Sequence, residues 1–368
     1  MSTRPLRIVV LGLSLSSSWG NGHATTYRAL LRALAARGHD ILFLERDVAW
    51  YAAHRDFREA PYCRLRFYNT LEDLARFRRD ITRADAVIIG SYVPQGTEVS
   101  VQVLRAARGV VAFYDIDTPV TLASLERGTC EYVTRALIPQ YDLYLSFTGG
   151  PTLRRLETEF GAKAARVLYC SVDAELYSPR TVPRRWDLGY LGTYSADRQP
   201  KLERLLIEVA RRAPQLRFVV AGPQYPTDIR WPPNVTCIPH LAPRDHPEFY
   251  AALGWTLNVT RDDMTAAGYS PSVRLFEAAA CATPIISDRW TGLDTLFVEG
   301  RELILANDAH DVLAALGQPE ALRRRIGRAG RARILREHTC EIRAAELEVD
   351  LLAAIQRTRN KLASEMLI

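Results

Sequence analysis

The chain has 368 residues, 48% hydrophobic and 24% charged, with 20 Pro and 21 Gly spread along it and a formal net charge of +6. Such a length and balance exclude a disordered tail, a collagen-like repeat and a single small domain, and two globular domains are expected. No run of about 18 apolar residues occurs, so no transmembrane helix is expected, and the basic balance suits an anionic ligand, with nucleic acid or a membrane surface less supported.

Taken in chain order, the first unit reads strand, loop, helix. Arg4 and Arg7 before Ile8-Val9-Val10-Leu11 imitate a signal peptide, but the apolar run is short and breaks at Gly12. A first strand over 6–11 fits better. Residues 14–22 form a small polar loop, and 24–37 carry Tyr27, Leu30, Leu31 and Leu34 at helical spacing, closed by Gly38. Strands follow at 41–44, 86–89, 110–114 and 143–147. Three of them end in Gly90, in Asp115-Ile116-Asp117-Thr118-Pro119 and in Gly149-Gly150-Pro151. Ligands of parallel sheets sit beyond strand C-termini, so these loops are expected to line a site.

Around 172–186 the texture changes to a connector with Asp173, Pro179, Pro183, Arg184 and Arg185. A second series follows: a strand at 188–191 ending in Gly192-Thr193-Tyr194-Ser195, a helix at 202–213, and strands at 216–221, 235–238, 255–259 and 284–287. A basic helix begins at Glu320, and 344–361 forms a long amphipathic C-terminal helix. The organisation is two tandem Rossmann-like doubly wound α/β domains. Residues 1–172 form the first and 173–340 the second, with 341–368 packing back on the first and the active site in the cleft between them.

The stretch Gly268-Tyr269-Ser270-Pro271-Ser272-Val273-Arg274-Leu275-Phe276-Glu277 carries the strongest chemical signal. Ser270 is a good N-cap and Pro271 suits the first helical position. The free N–H groups of such a start attract phosphate. Glu277 lies about 10 Å further along the axis at roughly 1.5 Å per residue, the span from a diphosphate to its ribose diol. The segment reads as a grip for a nucleoside diphosphate, with an ordinary capped helix as the alternative. Six widely spaced cysteines without a C-x-x-C pair indicate reduced thiols, a cytoplasmic protein and no zinc site.

With Tyr114-Asp115-Ile116-Asp117-Thr118-Pro119, Ser146-Phe147-Thr148-Gly149-Gly150-Pro151 and Tyr169-Cys170-Ser171-Val172-Asp173, this stretch resembles the GT-B glycosyltransferases, in particular the CgeB-like (spore-maturation-type) group. The resemblance implies a nucleotide-sugar donor, a UDP-sugar above all, held by the second domain. It also implies an acceptor held by the first domain, no cofactor and no obligatory metal. It gives the ribose to Glu277 and the diphosphate to Ser270, Ser272 and Val273 with Arg198 and Lys201, and it adds Gly192, Tyr194 and Tyr269 to the donor site. Many retaining relatives carry a second glutamate eight positions earlier; here that position is Tyr269. The loop Gly20-Asn21-Gly22-His23-Ala24, opening a helix that ends Arg37-Gly38-His39, is similar to inverting small-molecule glycosyltransferases, and Trp19 before it offers a ring for the acceptor to stack on. In those enzymes a histidine deprotonates the acceptor and an aspartate holds its imidazole, which implies His23 with Asp115, or with Asp117, as the catalytic pair.

The activity implied is transfer of a sugar from a nucleoside diphosphate to a hydroxyl or amine of a small molecule, glycan or protein. A nucleotide-sugar epimerase and a nucleic-acid-modifying protein of the same fold are the rivals. The arginine run from 323 to 336 contains no interleaved aromatics, so it reads as a solvated face rather than a nucleic-acid surface. His240 and His246 read as loop residues.

Overall fold

A computed structural model describes residues 4–20 and 22–365. The chain divides into two compact units. One comprises Met1–Ser18, His23–Tyr169 and Cys340–Ile368; the other comprises Trp19–Gly22 and Cys170–Thr339.

The first unit is built on seven parallel strands: β1 (Arg7–Gly12), β2 (Asp40–Arg46), β3 (Arg64–Tyr68), β4 (Ala86–Gly90), β5 (Val110–Asp115), β6 (Leu143–Ser146) and β7 (Ala165–Val167), in the order β3-β2-β1-β4-β5-β6-β7. In β1, Ile8 pairs with Ile41 on one side and with Ala86 on the other. Residues of β1, β4 and β5 are buried on both faces, which is why they read as continuous apolar runs. Strand order reverses between β1 and β4, so the loops leaving these two strands diverge and open a crevice at their C-terminal ends. The helix His23–Ala36 starts there, as does the segment from Ser91 to Gln95. The C-terminal helix, Cys340–Glu365, packs on His23–Ala36 within this unit.

The second unit carries six parallel strands: β8 (Trp186–Leu191), β9 (Phe218–Ala221), β10 (Val235–Ile238), β11 (Leu253–Asn258), β12 (Ile285–Ser287) and β13 (Ile304–Leu305), in the order β10-β9-β8-β11-β12-β13. Its core joins Leu188, Tyr190, Phe218, Trp255, Leu257 and Ile286 to Leu205 and Leu206 of the helical segment after β8. The reversal falls between β8 and β11, so Gly192 and Asn258 stand on either side of this unit's crevice. Both sheets and their strand order match the doubly wound expectation. The helix expected over 202–213 is instead three joined pieces, Gln199–Leu202, a π-helical turn Glu203–Ile207, and Glu208–Arg212.

One boundary needs correcting. The helix after Tyr269 runs Val273–Ala280, and its N-cap is Ser272, not Ser270. Ser270 and Pro271 are buried in the approach to it. Glu277 therefore lies five residues past the cap, about 7.5 Å along the axis.

Candidate active site

In the second unit the decisive side chain is Arg274. It occupies the second position of a helix whose only other charged residue is Glu277, and it is only 8% exposed. Its Nε donates to the Leu191 carbonyl, its Nη1 to Asn258 Oδ1 at 3.1 Å and its Nη2 to the Tyr190 hydroxyl at 3.4 Å. The guanidinium also lies over the Tyr190 ring, 4.5 Å from its centroid. Every one of these partners is neutral, and among the described residues no carboxylate lies within 4.0 Å of it. A guanidinium has five N–H donors, so one remains on each terminal nitrogen. A buried cation with no carboxylate in contact is costly; Asp288 reaches it only through space, and an anion at the strand ends relieves that cost.

The surroundings fit that anion. Gly192, directly after β8, has no side chain to block the approach: a Cβ there would stand 2.4 Å from Arg274 Nη2. Ser272 turns its hydroxyl to Asn258 Oδ1 at 2.7 Å, leaving the helix's first N–H groups without a side-chain cap. Arg198 donates to the Thr193 carbonyl at 2.7 Å, while its Nε is buried without a hydrogen-bond partner. Tyr194 bonds through its N–H to the Pro223 carbonyl and rests edge-on to Tyr225. Tyr269 adopts a left-handed backbone, φ 49°, with its ring against Gly292.

Lys201 departs from the expected basic pair. Its ammonium donates to the Thr260 carbonyl at 2.8 Å and meets Asp262 at 2.9 Å and Asp288 at 3.7 Å, so its charge is already neutralised within the protein. Asp288 in turn accepts from Thr260 N–H and Oγ1; burial raises its carboxyl above the usual range against these bonds and Lys201. Glu277 is 4% exposed. Its Oε2 accepts from the Tyr250 hydroxyl at 3.3 Å and lies 3.5 Å from His246 Nδ1. His246 is thus part of a buried polar cluster at the start of the helix His246–Ala251 rather than a loop residue.

In the first unit, His23 opens the helix His23–Ala36 and is 7% exposed. Its Nε2 lies 3.8 Å from Asp117 Oδ2, and its Nδ1 is buried without a hydrogen-bond partner. The ring meets Tyr92 edge-on at 5.4 Å, and Tyr92 itself has a left-handed backbone, φ 62°. Asp115 does not hold the imidazole. It is fully buried, with Oδ2 accepting from Tyr144 at 2.6 Å and Oδ1 from Thr121 at 2.7 Å. As the last residue of β5 it points into the core, whereas Asp117, two residues later, has left the strand and faces His23. Burial pushes the Asp115 carboxyl up to about 6, against the pull of Tyr144 and Thr121 and with help from Asp117.

Trp19 and Gly20 are half-buried, Gly20 with φ 68°, and Gly22 is exposed; Asn21 lies outside the described residues. The loop before them is anchored by a residue the sequence reading passed over. Glu45, at 0% exposure, accepts from Leu15 N–H, Ser16 N–H and the hydroxyls of Ser14 and Ser16. A lone carboxylate ending the apolar run Ile41-Leu42-Phe43-Leu44 was its signal. Arg274 carried a similar signal, a charge flanked by the apolar residues Val273, Leu275 and Phe276. His39 accepts from Leu6 N–H through Nδ1 and faces Glu348, so its role is structural.

Known proteins can be set beside this geometry. Residues 198–349 match the profile of a family described as glycosyl transferase-like. No curated protein matches the chain. Among solved structures, sucrose-phosphate synthase (tll1590) from Thermosynechococcus elongatus is 16% identical, with 97% of this chain and 100% of that one covered and a TM-score of 0.69. Anabaena Alr3699/HepE in complex with UDP and glucose is 13% identical, with 94% and 99% covered and a TM-score of 0.71. An alpha-glucosyltransferase in complex with UDP-glucose and DNA containing an abasic site is 12% identical, with 95% and 100% covered and a TM-score of 0.72. This is the GT-B fold of the glycosyltransferases. The profile match over 198–349 supports glycosyltransferase activity.

Proposed function

We propose that this protein is a metal-independent glycosyltransferase of the CgeB-like group that moves a hexosyl residue from a UDP-sugar to an acceptor hydroxyl or amine. The observation that carries the donor site is Arg274, a buried guanidinium with only neutral partners beside a side-chain-free Gly192. Structural neighbours are complexes with UDP or UDP-glucose, which supports uridine as the base.

During transfer the bond from the anomeric carbon to the diphosphate oxygen breaks, and the acceptor oxygen or nitrogen bonds to that carbon. The leaving diphosphate gains negative charge. Arg274, Arg198 and the uncapped N–H groups at Val273 and Arg274 stabilise it, preorganised donors of the kind that dominate such catalysis. With two arginines facing the phosphates, a divalent ion is not needed for charge balance. The acceptor's proton passes to His23, and Asp117 beside Nε2 stabilises the imidazolium that forms. That course inverts the anomeric centre.

Four arginines of the helix Glu320–Glu337, Arg323, Arg324, Arg333 and Arg336, are paired with Glu320, Glu302 and Glu337, which favours a small-molecule, glycan or protein acceptor over nucleic acid. Among the described residues no helix is long and apolar enough to cross a membrane. All six cysteines are free thiols, in keeping with the cytoplasm.

The test is thermal denaturation with nucleoside diphosphates in the presence of a chelator. UDP at a hundredfold excess over its dissociation constant stabilises by about 2.7 kcal/mol. Arg274→Met abolishes that shift. If no nucleoside diphosphate moves the transition, the donor site is misassigned. Sugar-nucleotide turnover without an acceptor would instead point to an epimerase.

A further inference from the structure

Two adjoining hollows lie on the first unit, away from its crevice. One, of about 420 Å³, is lined by Ala75, Arg76, Arg78, Arg79, Thr82 and Arg83. The other, of about 320 Å³, shares Arg79 and Arg83 with it and reaches Arg7, Asp40 and Arg64. Those last three residues open β1, β2 and β3, so the hollows sit by the N-terminal ends of the strands, whereas the crevice opens at their C-terminal ends. Leu74 and Ile81 plug the segment into the core, at 2% and 3% exposure, and leave its four arginines on the outer side.

The first hollow holds four guanidinium groups and no carboxylate. The acids nearby are engaged elsewhere. Asp73 accepts from the N–H groups of Asn69 and Thr70 and meets only Arg76, at 3.1 Å. Asp80 lies 3.5 Å from Arg64, and Asp85 pairs with Arg4 at 2.8 Å. Among the described residues Arg78, Arg79 and Arg83 have no ion-pair partner. Thr82 gives its hydroxyl to the Ala106 carbonyl at 2.9 Å. Arg79 and Arg83 stand one helical turn apart, a spacing at which like charges repel. The helix Glu320–Glu337 meets the same problem from within, by pairing four of its arginines with glutamates. The segment Arg78–Arg83 has no such internal answer.

A guanidinium presents paired N–H donors that match phosphate oxygens. We propose that the hollow between Arg76 and Arg83 is a second anion site, which takes a phosphate ligand of several negative charges, either a free polyphosphate or the phosphomonoester headgroup of an acidic lipid. Nucleic acid suits it less, because no aromatic side chain lines either hollow for a base to stack on. The site is independent of the donor-site reading above.

The test uses the full chain, with calorimetric titration of tripolyphosphate and sedimentation with phosphatidylcholine vesicles prepared with and without phosphatidic acid. Arg79→Gln/Arg83→Gln should weaken the binding of tripolyphosphate, or retention on the phosphatidic acid vesicles, by about tenfold. Tripolyphosphate can also enter the donor crevice, so the titration is repeated in Arg274→Met, where the event that depends on Arg79 and Arg83 persists. The double variant should melt no lower than the wild type, since it removes like charges from one helix face. Single variants Arg78→Gln and Arg83→Gln carry the test should the pair of changes destabilise the fold. Tripolyphosphate binding alone identifies a free ligand and vesicle retention alone a headgroup; either supports the site when the arginine variants lose it. Unchanged binding of both probes in those variants, or binding of neither probe by the wild-type protein, would overturn the proposal. Tighter retention of single-stranded DNA than of either probe through the same arginines would overturn it too, and would make the hollow part of a nucleic-acid surface.

Discussion

His23 and the two aspartates near it divide the work that one residue pair was expected to do. Asp117 faces the imidazole, while Asp115 is sealed among Tyr144, Thr121 and the core. His23→Ala should therefore slow the chemical step by about 10²–10⁴-fold with donor affinity unchanged, and Asp117→Asn should slow it less. Single-turnover rates beside equilibrium UDP binding check this; near-normal turnover, or a product that keeps the donor's anomeric configuration, removes His23 as the base. Asp115 has a different signature. Its folded-state carboxyl sits near 6, above an ordinary 3.8. Between those values the folded protein holds a proton that the unfolded chain has released. Stability should fall as pH rises through that window, by about 3 kcal/mol. Asp115→Asn should flatten this slope in urea titrations at pH 4 and pH 7; an unchanged slope would place the proton elsewhere. The resemblance to inverting glycosyltransferases suggested Asp115 first and Asp117 second, from their spacing after His23. Which way a side chain leaves a strand end depends on tertiary packing, and spacing along the chain does not encode it.

The elements themselves were largely legible. The apolar runs 6–11, 41–44, 86–89 and 110–114 are strands because parallel sheets bury both faces. The edge strand β3 was missed because Arg64, Phe67 and neighbours face solvent and break the apolar run. β7 and β13 were missed because they are only three and two residues long. The cap at Ser270 was misplaced because Ser270, Pro271 and Ser272 all offer helix-start chemistry, and the Ser272 contact with Asn258 decides between them. For the basic helix Glu320–Glu337, composition hid its packing. A Cβ at Gly327 would lie 2.0 Å from the Ala282 carbonyl oxygen, so backbone approaches backbone there. Gly327→Ala should cost about 1–3 kcal/mol and lower the urea midpoint, whereas Arg325→Ala on the exposed face should stay within about 0.5 kcal/mol. Equal effects would show that the helix is held by its charges instead.

At the scale of the whole molecule, the first unit is not continuous in sequence. Its final helix, Cys340–Glu365, buries Ala344, Leu347, Leu351 and Ala354, and it brings Glu348, 1% exposed, to Arg37 and His39. Two buried leucines alone are worth about 1.5–3 kcal/mol each, against a typical total of about 5–15 kcal/mol. A chain ending at Thr339 should lose cooperative unfolding of the first unit and become sensitive to trypsin at Arg37, while the second unit keeps its nucleotide site. Undiminished protease resistance would show that the helix is dispensable.

The same arrangement sets a schedule for biosynthesis. Residues 7–169 leave the ribosome well before residue 340, and at roughly 5–20 residues per second the interval is on the order of ten to thirty seconds. Throughout it, the apolar side of the nascent helix His23–Ala36 lacks its cover, and a neighbouring polysome product could lend its own final helix to that face. Slow translation of the second unit, or crowding of nascent chains, should therefore favour exchanged dimers over monomers, and a chaperone that shields the uncovered side of the helix should suppress them.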